Sequence, residues 1–286
     1  VQIVMSGILT LGWGPVPSMG LAGPALAMII CHGLTSAYLI FHLVVGNATI
    51  KLYPQKFQWA AISDIMKVGG IGLFNSLFMA MTVALVTGFI GHYGTAALAG
   101  YGLGARLELM LIPLIFGVGG ALTASVGANF GAGNIPRAKK IAWVGAGIVL
   151  ILVGAIGITV SFMPVLWLDF FTTDENAYAY GAVYLTIVGP LYCLFGAGNA
   201  FYFASQGTGH MGFPVLVSGL RFFTVATIGG IAVHQNWEIS TIFIGVNVGL
   251  AIYGIGEALC LFSPGWNPKI PTKERSTLKL TPSDIM

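Results

Sequence analysis

Long apolar runs separated by short polar breaks dominate the chain, and the runs rarely alternate with the period of a half-buried strand. A membrane-crossing helix needs about 20 mainly apolar residues. Seven stretches meet that length, at 20–45, 66–91, 98–127, 141–168, 178–205, 213–234 and 239–263. Residues 1–12 read as the tail of a further helix, with Gly14-Pro15-Val16-Pro17 ending it because proline breaks the helical hydrogen-bond ladder. The longer runs predict tilted helices or short extensions past the bilayer. The expected class is therefore an all-α polytopic membrane protein.

Composition strengthens this reading. The 286 residues are 56% hydrophobic and 7% charged, and mean hydropathy is +0.88. Soluble domains carry about 25% charged residues, so this surface suits lipid rather than water. The 41 glycines lie within the apolar runs, where small residues let membrane helices approach closely. A net charge of +3 is too small to predict a nucleic-acid partner. Cys31, Cys193 and Cys260 form no CxxC pair and read as small buried hydrophobes. His32, His42, His92, His210 and His234 are scattered, so no metal site is expected. The chain begins at Val1 and is expected to be a piece of a longer protein. Its first apolar run lacks a basic leader and a small-residue cleavage site, and is not expected to be a signal peptide.

The distribution of charge adds orientation. Lys51, Lys56 and Lys67 precede the 66–91 run, Arg137, Lys139 and Lys140 lie two breaks later, and Lys269, Lys273, Arg275 and Lys279 follow the last run. With seven crossings these three segments share one side. The intervening breaks carry Asp169, Asp174, Glu175 and Glu238, and no lysine or arginine. The positive-inside rule makes the basic side and the C-terminus cytoplasmic.

Residues 102–140 read GLGARLELMLIPLIFGVGGALTASVGANFGAGNIPRAKK. This stretch resembles the multidrug and toxic compound extrusion (MATE) family: an arginine-containing helix start, a proline-containing apolar stretch, then a small-residue loop. Gly127, Asn129, Gly131, Ala132, Gly133, Arg137 and Ala138 carry the loop pattern. Asn134 suits a helix N-cap before Pro136. Ser205-Gln206-Gly207-Thr208-Gly209 resembles the loop after the fourth helix of each family lobe.

The resemblance implies one six-helix lobe of a twelve-helix MATE-like transporter plus the end of the other lobe. Residues 1–45 would be part of helix five and helix six of the N-terminal lobe. Residues 46–65 would form a cytoplasmic inter-lobe loop, 66–263 the C-terminal six-helix lobe, and 264–286 a cytoplasmic tail. The remaining upstream helices would lie outside this chain, which alone should not transport. The implied activity is antiport: export of amphipathic or cationic xenobiotics in exchange for H+ or Na+, without a cofactor. The implied setting is the plasma membrane, a bacterial inner membrane, and a full-length monomer.

Polar residues inside spans are candidates for function. Tyr192, Asn199 and Gln206 recur every seven residues, so they share a helix face, with Tyr184 and Tyr202 close to that stripe. The stripe could line a cavity for organic cations, through ring faces and amide carbonyls, or it could join helices by hydrogen bonds. Asn75, Met79 and Thr82 share a face of the 66–91 run with Ser76 beside them; a promiscuous pocket and ordinary packing both fit. In the sodium-driven branch of the resembled family this helix carries a Glu where Met79 stands, and an Asp is expected near Phe195, so a sodium carboxylate site is not expected here.

Glu257 is the one acidic residue that the runs put deep in a span. It could couple transport to a proton or pair with Arg221. Arg106 and Glu108 fall near the start of their run and suggest interfacial anchoring or a gate contact. There is no GxxxxGK[ST] phosphate loop and no nucleophile–base pair, which disfavours ATP-driven pumping and an enzyme. A lipid-linked oligosaccharide flippase, an integral membrane enzyme and a passive channel are the alternatives.

Overall fold

A computed structural model describes residues 1–13, 17–45 and 59–267. It divides into two compact units, Val1–Trp59 and Ala60–Met286.

In the first unit α1 (Gln2–Leu11) packs against α2 (Ala22–Val45). α1 ends earlier than the prolines suggest. Gly12 adopts φ 75° and its N–H returns to Ile8 O, a left-handed cap that glycine accepts without steric cost. The helix end thus agrees with the expected tail over 1–12, although Gly12 rather than the prolines stops it; residues 14–16 lie outside the described ones.

The second unit contains α3 (Trp59–Gly91), α4 (Thr95–Gly131), α5 (Ile135–Phe162), the short α6 (Val165–Leu168), α7 (Glu175–Val188), α8 (Tyr192–Thr208), α9 (Gly212–His234) and α10 (Ile239–Cys260). Across both units, seven described segments are long and apolar enough to cross a membrane. They coincide with the seven apolar runs, and the fold class is an all-helical, multi-pass one. α3 begins at Trp59, so the second half of the expected 46–65 loop is helical; residues 46–58 lie outside the described ones. So do Lys51, Lys56 and the basic tail from 268 onward, and Lys67 lies on α3 with its side chain undescribed.

α5 also starts early. Asn134 caps it by accepting from the Arg137 N–H at 3.3 Å, so Arg137, Lys139 and Lys140 sit in the first turns of a helix rather than in a loop. Asp174 caps α7 in the same way, accepting from the Ala177 N–H at 2.8 Å.

The run predicted as one helix over 178–205 is broken. A 3₁₀ turn at Gly189–Leu191 separates α7 from α8. Pro190 has no N–H for the Thr186 carbonyl, and its ring displaces the next bond in the ladder. Both carbonyls find side chains instead. Ser161 Oγ donates to Thr186 O at 3.0 Å, and Asn247 Nδ2 donates to Ile187 O at 2.6 Å. The break brings backbones together, since a Cβ added at Gly189 would lie 2.7 Å from Gly157 O.

α8 is the centre of the lobe. It packs against α4, α5 and α10, and its face residues Phe195, Ala200 and Ala204 are buried. α9 packs on α10, and α3 meets α9 through Phe78 and Phe222, whose ring centroids are 5.8 Å apart. After α10 a 3₁₀ turn, Pro264–Trp266, buries Trp266, whose Nε1 donates to Ser205 Oγ at 3.3 Å. The start of the expected tail is thus pinned to the end of α8. Among the cysteines, Cys260 is buried, whereas Cys31 and Cys193 are only half-buried, because each lies on a helix side that its own unit does not fully cover.

Candidate functional site

α3, α4 and α8 enclose a cavity of about 320 Å³. Its polar wall consists of Asn75 and Ser76 from α3 and Asn199, Tyr202 and Gln206 from α8. Met79, Ile112, Ile115, Phe116 and Phe203 supply the apolar wall. The two polar stripes read from spacing alone therefore face one space. Asn199 Nδ2 donates to Phe195 O at 2.8 Å, which fixes the amide and leaves its Oδ1 for the cavity. Asn75 Oδ1 accepts from the Ser218 hydroxyl of α9. The Tyr202 hydroxyl lies against α3 at Gly72, where an added Cβ would be in ordinary contact at 3.6 Å. Among the described residues no acidic or basic side chain lines this cavity.

A narrow crevice adjoins it, sharing Asn75 and Met79 and adding Phe78, Thr82, Ser218, Arg221 and Tyr253. Thr82 thus belongs to the crevice rather than the main cavity, and its hydroxyl is already donated to Phe78 O at 2.7 Å. Ser218 and Tyr253 escaped the sequence reading. Each carried a signal: Ser218 lies three residues before Arg221, and Tyr253 four before Glu257, both on a shared helix face.

Tyr184 and Tyr192 leave the cavity group. The break at Gly189–Leu191 interrupts the register that linked Tyr184 to the α8 stripe. Tyr184 is buried and its hydroxyl donates to Glu108 Oε1. Its ring meets Tyr101 edge-on at 5.3 Å and Phe243 at 5.1 Å. Tyr192, the first residue of α8, is fully buried with its hydroxyl unpartnered.

Glu108 is a second correction. α4 begins at Thr95, so Glu108 lies more than three turns inside the helix rather than near its start. It is held within the lobe. Arg106 instead points outward, exposed, with its guanidinium 5.7 Å from the Phe171 ring. That position suits anchoring and separates the two residues in role.

Glu257 is completely buried on α10. Cys260 Sγ lies 3.5 Å from its Oε2, and Oε1 has no partner. The expected pairing with Arg221 does not form. Arg221 packs beside Gly249, where an added Cβ would lie 3.3 Å from its Cγ. Gly249 is eight residues before Glu257, about 12 Å along a helix rising 1.5 Å per residue. The guanidinium instead stands 5.3 Å from the Tyr253 ring and 5.8 Å from the Phe195 ring.

The loop motif is a close helix–helix junction. Asn129 Nδ2 bonds back to Ser125 O at 2.8 Å, Gly133 takes φ 74° in the turn, and Ala138 is fully buried in the first turns of α5. Ala132 closes α4, its N–H returning to Ala128 O, while Gly131 has open space around it and Arg137 is exposed. A Cβ at Gly127 would meet Gly207 O at 3.1 Å, and one at Gly207 would meet Thr123 O at 2.5 Å. Thr123 Oγ1 also donates to Phe203 O at 2.9 Å. The 127–138 and 205–209 segments are therefore packed together at one end of α4 and α8.

Comparison with known proteins agrees with this architecture. The chain is 23% identical over 201 residues to the FAD transporter of Shewanella oneidensis, covering 67% of this chain and 44% of that protein. It is 25% identical over 213 residues to the multidrug export protein MepA of Staphylococcus aureus, covering 73% of this chain and 46% of that protein. The chain thus spans about half the length of the curated relatives it matches. A solved MOP-superfamily transporter from Pyrococcus furiosus superposes with TM-score 0.80 at 19% identity, over 98% of this chain and 61% of its own. The MatE family model matches residues 72–231, more than half of the 286 residues, and the chain belongs to that family, the MATE transporters.

Proposed function

We propose that this chain supplies one lobe of a secondary antiporter that exports amphipathic, cationic organic compounds in exchange for protons. The observation that carries the reading is the 320 Å³ cavity, in which Asn75, Ser76, Asn199, Tyr202 and Gln206 face Met79 and Phe116. Amide oxygens and ring faces attract a cation without requiring one fixed geometry, and methionine adapts to varied shapes. Family membership supports transport as the activity.

Between H+ and Na+, the surroundings of Glu257 favour H+. A hard metal cation seeks several oxygen ligands, and the neighbour of this carboxylate is the Cys260 thiol. One buried carboxylate with a free oxygen is sufficient to carry a proton. Met79 and Phe195, which stand where the sodium-driven branch has carboxylates, fit the same choice. The basic segments favour a cytoplasmic C-terminus; the proposed setting is a bacterial plasma membrane, with the two lobes of a monomer rocking about the cavity.

The test is transport by the full-length protein in vesicles with an imposed gradient. A proton gradient should drive export of a fluorescent organic cation, and a sodium gradient alone should not. Flux independent of either ion would indicate a channel. Movement of a lipid-linked oligosaccharide would favour the flippase reading, against which the uncharged cavity wall argues.

A further inference from the structure

Arg221 is a buried cation without a conventional partner. It is 8% exposed, and its guanidinium makes no ion pair or hydrogen bond among the described residues. Burying an unpaired charge is costly, and buried charges are normally paired. The two ring faces beside it offset part of that cost, but they leave the N–H donors unanswered. Neither described carboxylate inside the lobe gives it a hydrogen bond. Glu108 is near enough to feel the Arg221 charge but accepts from Tyr184, and Glu257 lies about two turns along α10 from Gly249, beside which Arg221 packs.

A second donor converges on the same place. Tyr253, 2% exposed, lines the crevice with Arg221, and its hydroxyl is buried and unpartnered. Ser218 is already committed to Asn75, and Thr82 to Phe78. The crevice is therefore lined by a cation and a free hydroxyl donor, with no acidic group on its wall among the described residues. Its free space is about 10 Å³, room for one small occupant. It suits one compact occupant and is too small for a sulfate or an organic acid.

We propose that this crevice is a binding site for a small monovalent anion of the chloride class, held by Arg221 and Tyr253. The anion would neutralise a positive charge immediately behind the Asn75–Met79 wall of the substrate cavity. That electrostatic role rests on the organic-cation reading given above, because a bare guanidinium there would repel a cationic substrate. The site itself does not depend on that reading.

The experiment is thermal unfolding of the purified full-length protein in detergent, at constant ionic strength, with chloride or bromide replacing gluconate. The expected result is a saturable rise of several degrees in Tm with either halide. Arg221→Gln should abolish the rise. Tyr253→Phe keeps the ring beside the guanidinium but removes the hydroxyl, and should raise the half-saturating halide concentration several-fold; it also serves if Arg221→Gln fails to fold. An identical Tm in chloride and gluconate would overturn the site, as would an undiminished halide response in either variant. The measurement involves no transport, so its failure is separate from failure of the antiport reading.

Discussion

Among the described residues two carboxylates, Glu108 and Glu257, lie inside the helical unit, and their surroundings differ. Glu108 on α4 accepts a hydrogen bond from Tyr184, whose ring is locked between Tyr101 and Phe243. Glu257 on α10 is wholly buried, and one of its oxygens has no partner. An unsatisfied buried polar group costs about 1–3 kcal/mol, and each one in a native protein calls for an explanation, a chemical role among them. The contrast teaches that depth in a span does not by itself mark a coupling candidate; the state of its hydrogen bonds is the feature that separates the two. Glu108 reads as a structural tie between α4 and α7, and Glu257 as a group left free to take and release a proton.

The sharpest way to break this comparison is to neutralise each carboxylate in turn. Glu257→Gln should abolish proton-driven export in vesicles while changing stability by less than about 1 kcal/mol, since it removes no strong bond. Glu108→Gln should retain gradient-driven export. The opposite pattern would exchange the two roles.

Next in size are the supports of Glu108. Gly104 touches the Tyr184 ring so closely that any Cβ would overlap it. Gly104→Val should therefore drive Tyr184 off its carboxylate and cost about 3 kcal/mol through overpacking, read as a lower Tm in detergent. Tyr184→Phe keeps the ring and removes the hydroxyl. Glu108 then loses its donor, and the expected cost is about 2 kcal/mol. A loss below a few tenths of a kcal/mol would mean that the tie is not structural.

Much of the fold was legible from the chain. Hydropathy located the seven described candidate spans because each is long and apolar enough to cross a bilayer, and the Asn134-Ile135-Pro136 start of α5 carried its own cap signal. Seven-residue spacing brought Asn199 and Gln206 together with Tyr202 because α8 is an unbroken helix over those positions. The same logic failed for Tyr184, since Pro190 breaks the ladder and resets the register. The Glu257–Arg221 pairing failed for another reason. Both residues lie on packed helices, but their relative height depends on how α9 slides along α10, which no local pattern encodes. Ser218 and Tyr253 were overlooked because their importance comes from neighbours on other helices.

The smallest predicted effect concerns Cys260, and it tests the comparison from the other side. A thiol is a weak donor, and Sγ lies 3.5 Å from Glu257 Oε2. Cys260→Ser would give Glu257 a hydroxyl on the same turn, making its surroundings more like those of Glu108. A hydroxyl bond adds about 1 kcal/mol, roughly a five-fold change in an equilibrium. The variant should fold at least as stably as the wild type, yet export more slowly under the same proton gradient, because the carboxylate is held rather than free. If slower export came with a lower Tm, damage to packing would explain it. Unchanged export with raised stability would show that a hydrogen bond to Glu257 does not restrain coupling, and the distinction between a held and a free carboxylate would lose its functional meaning.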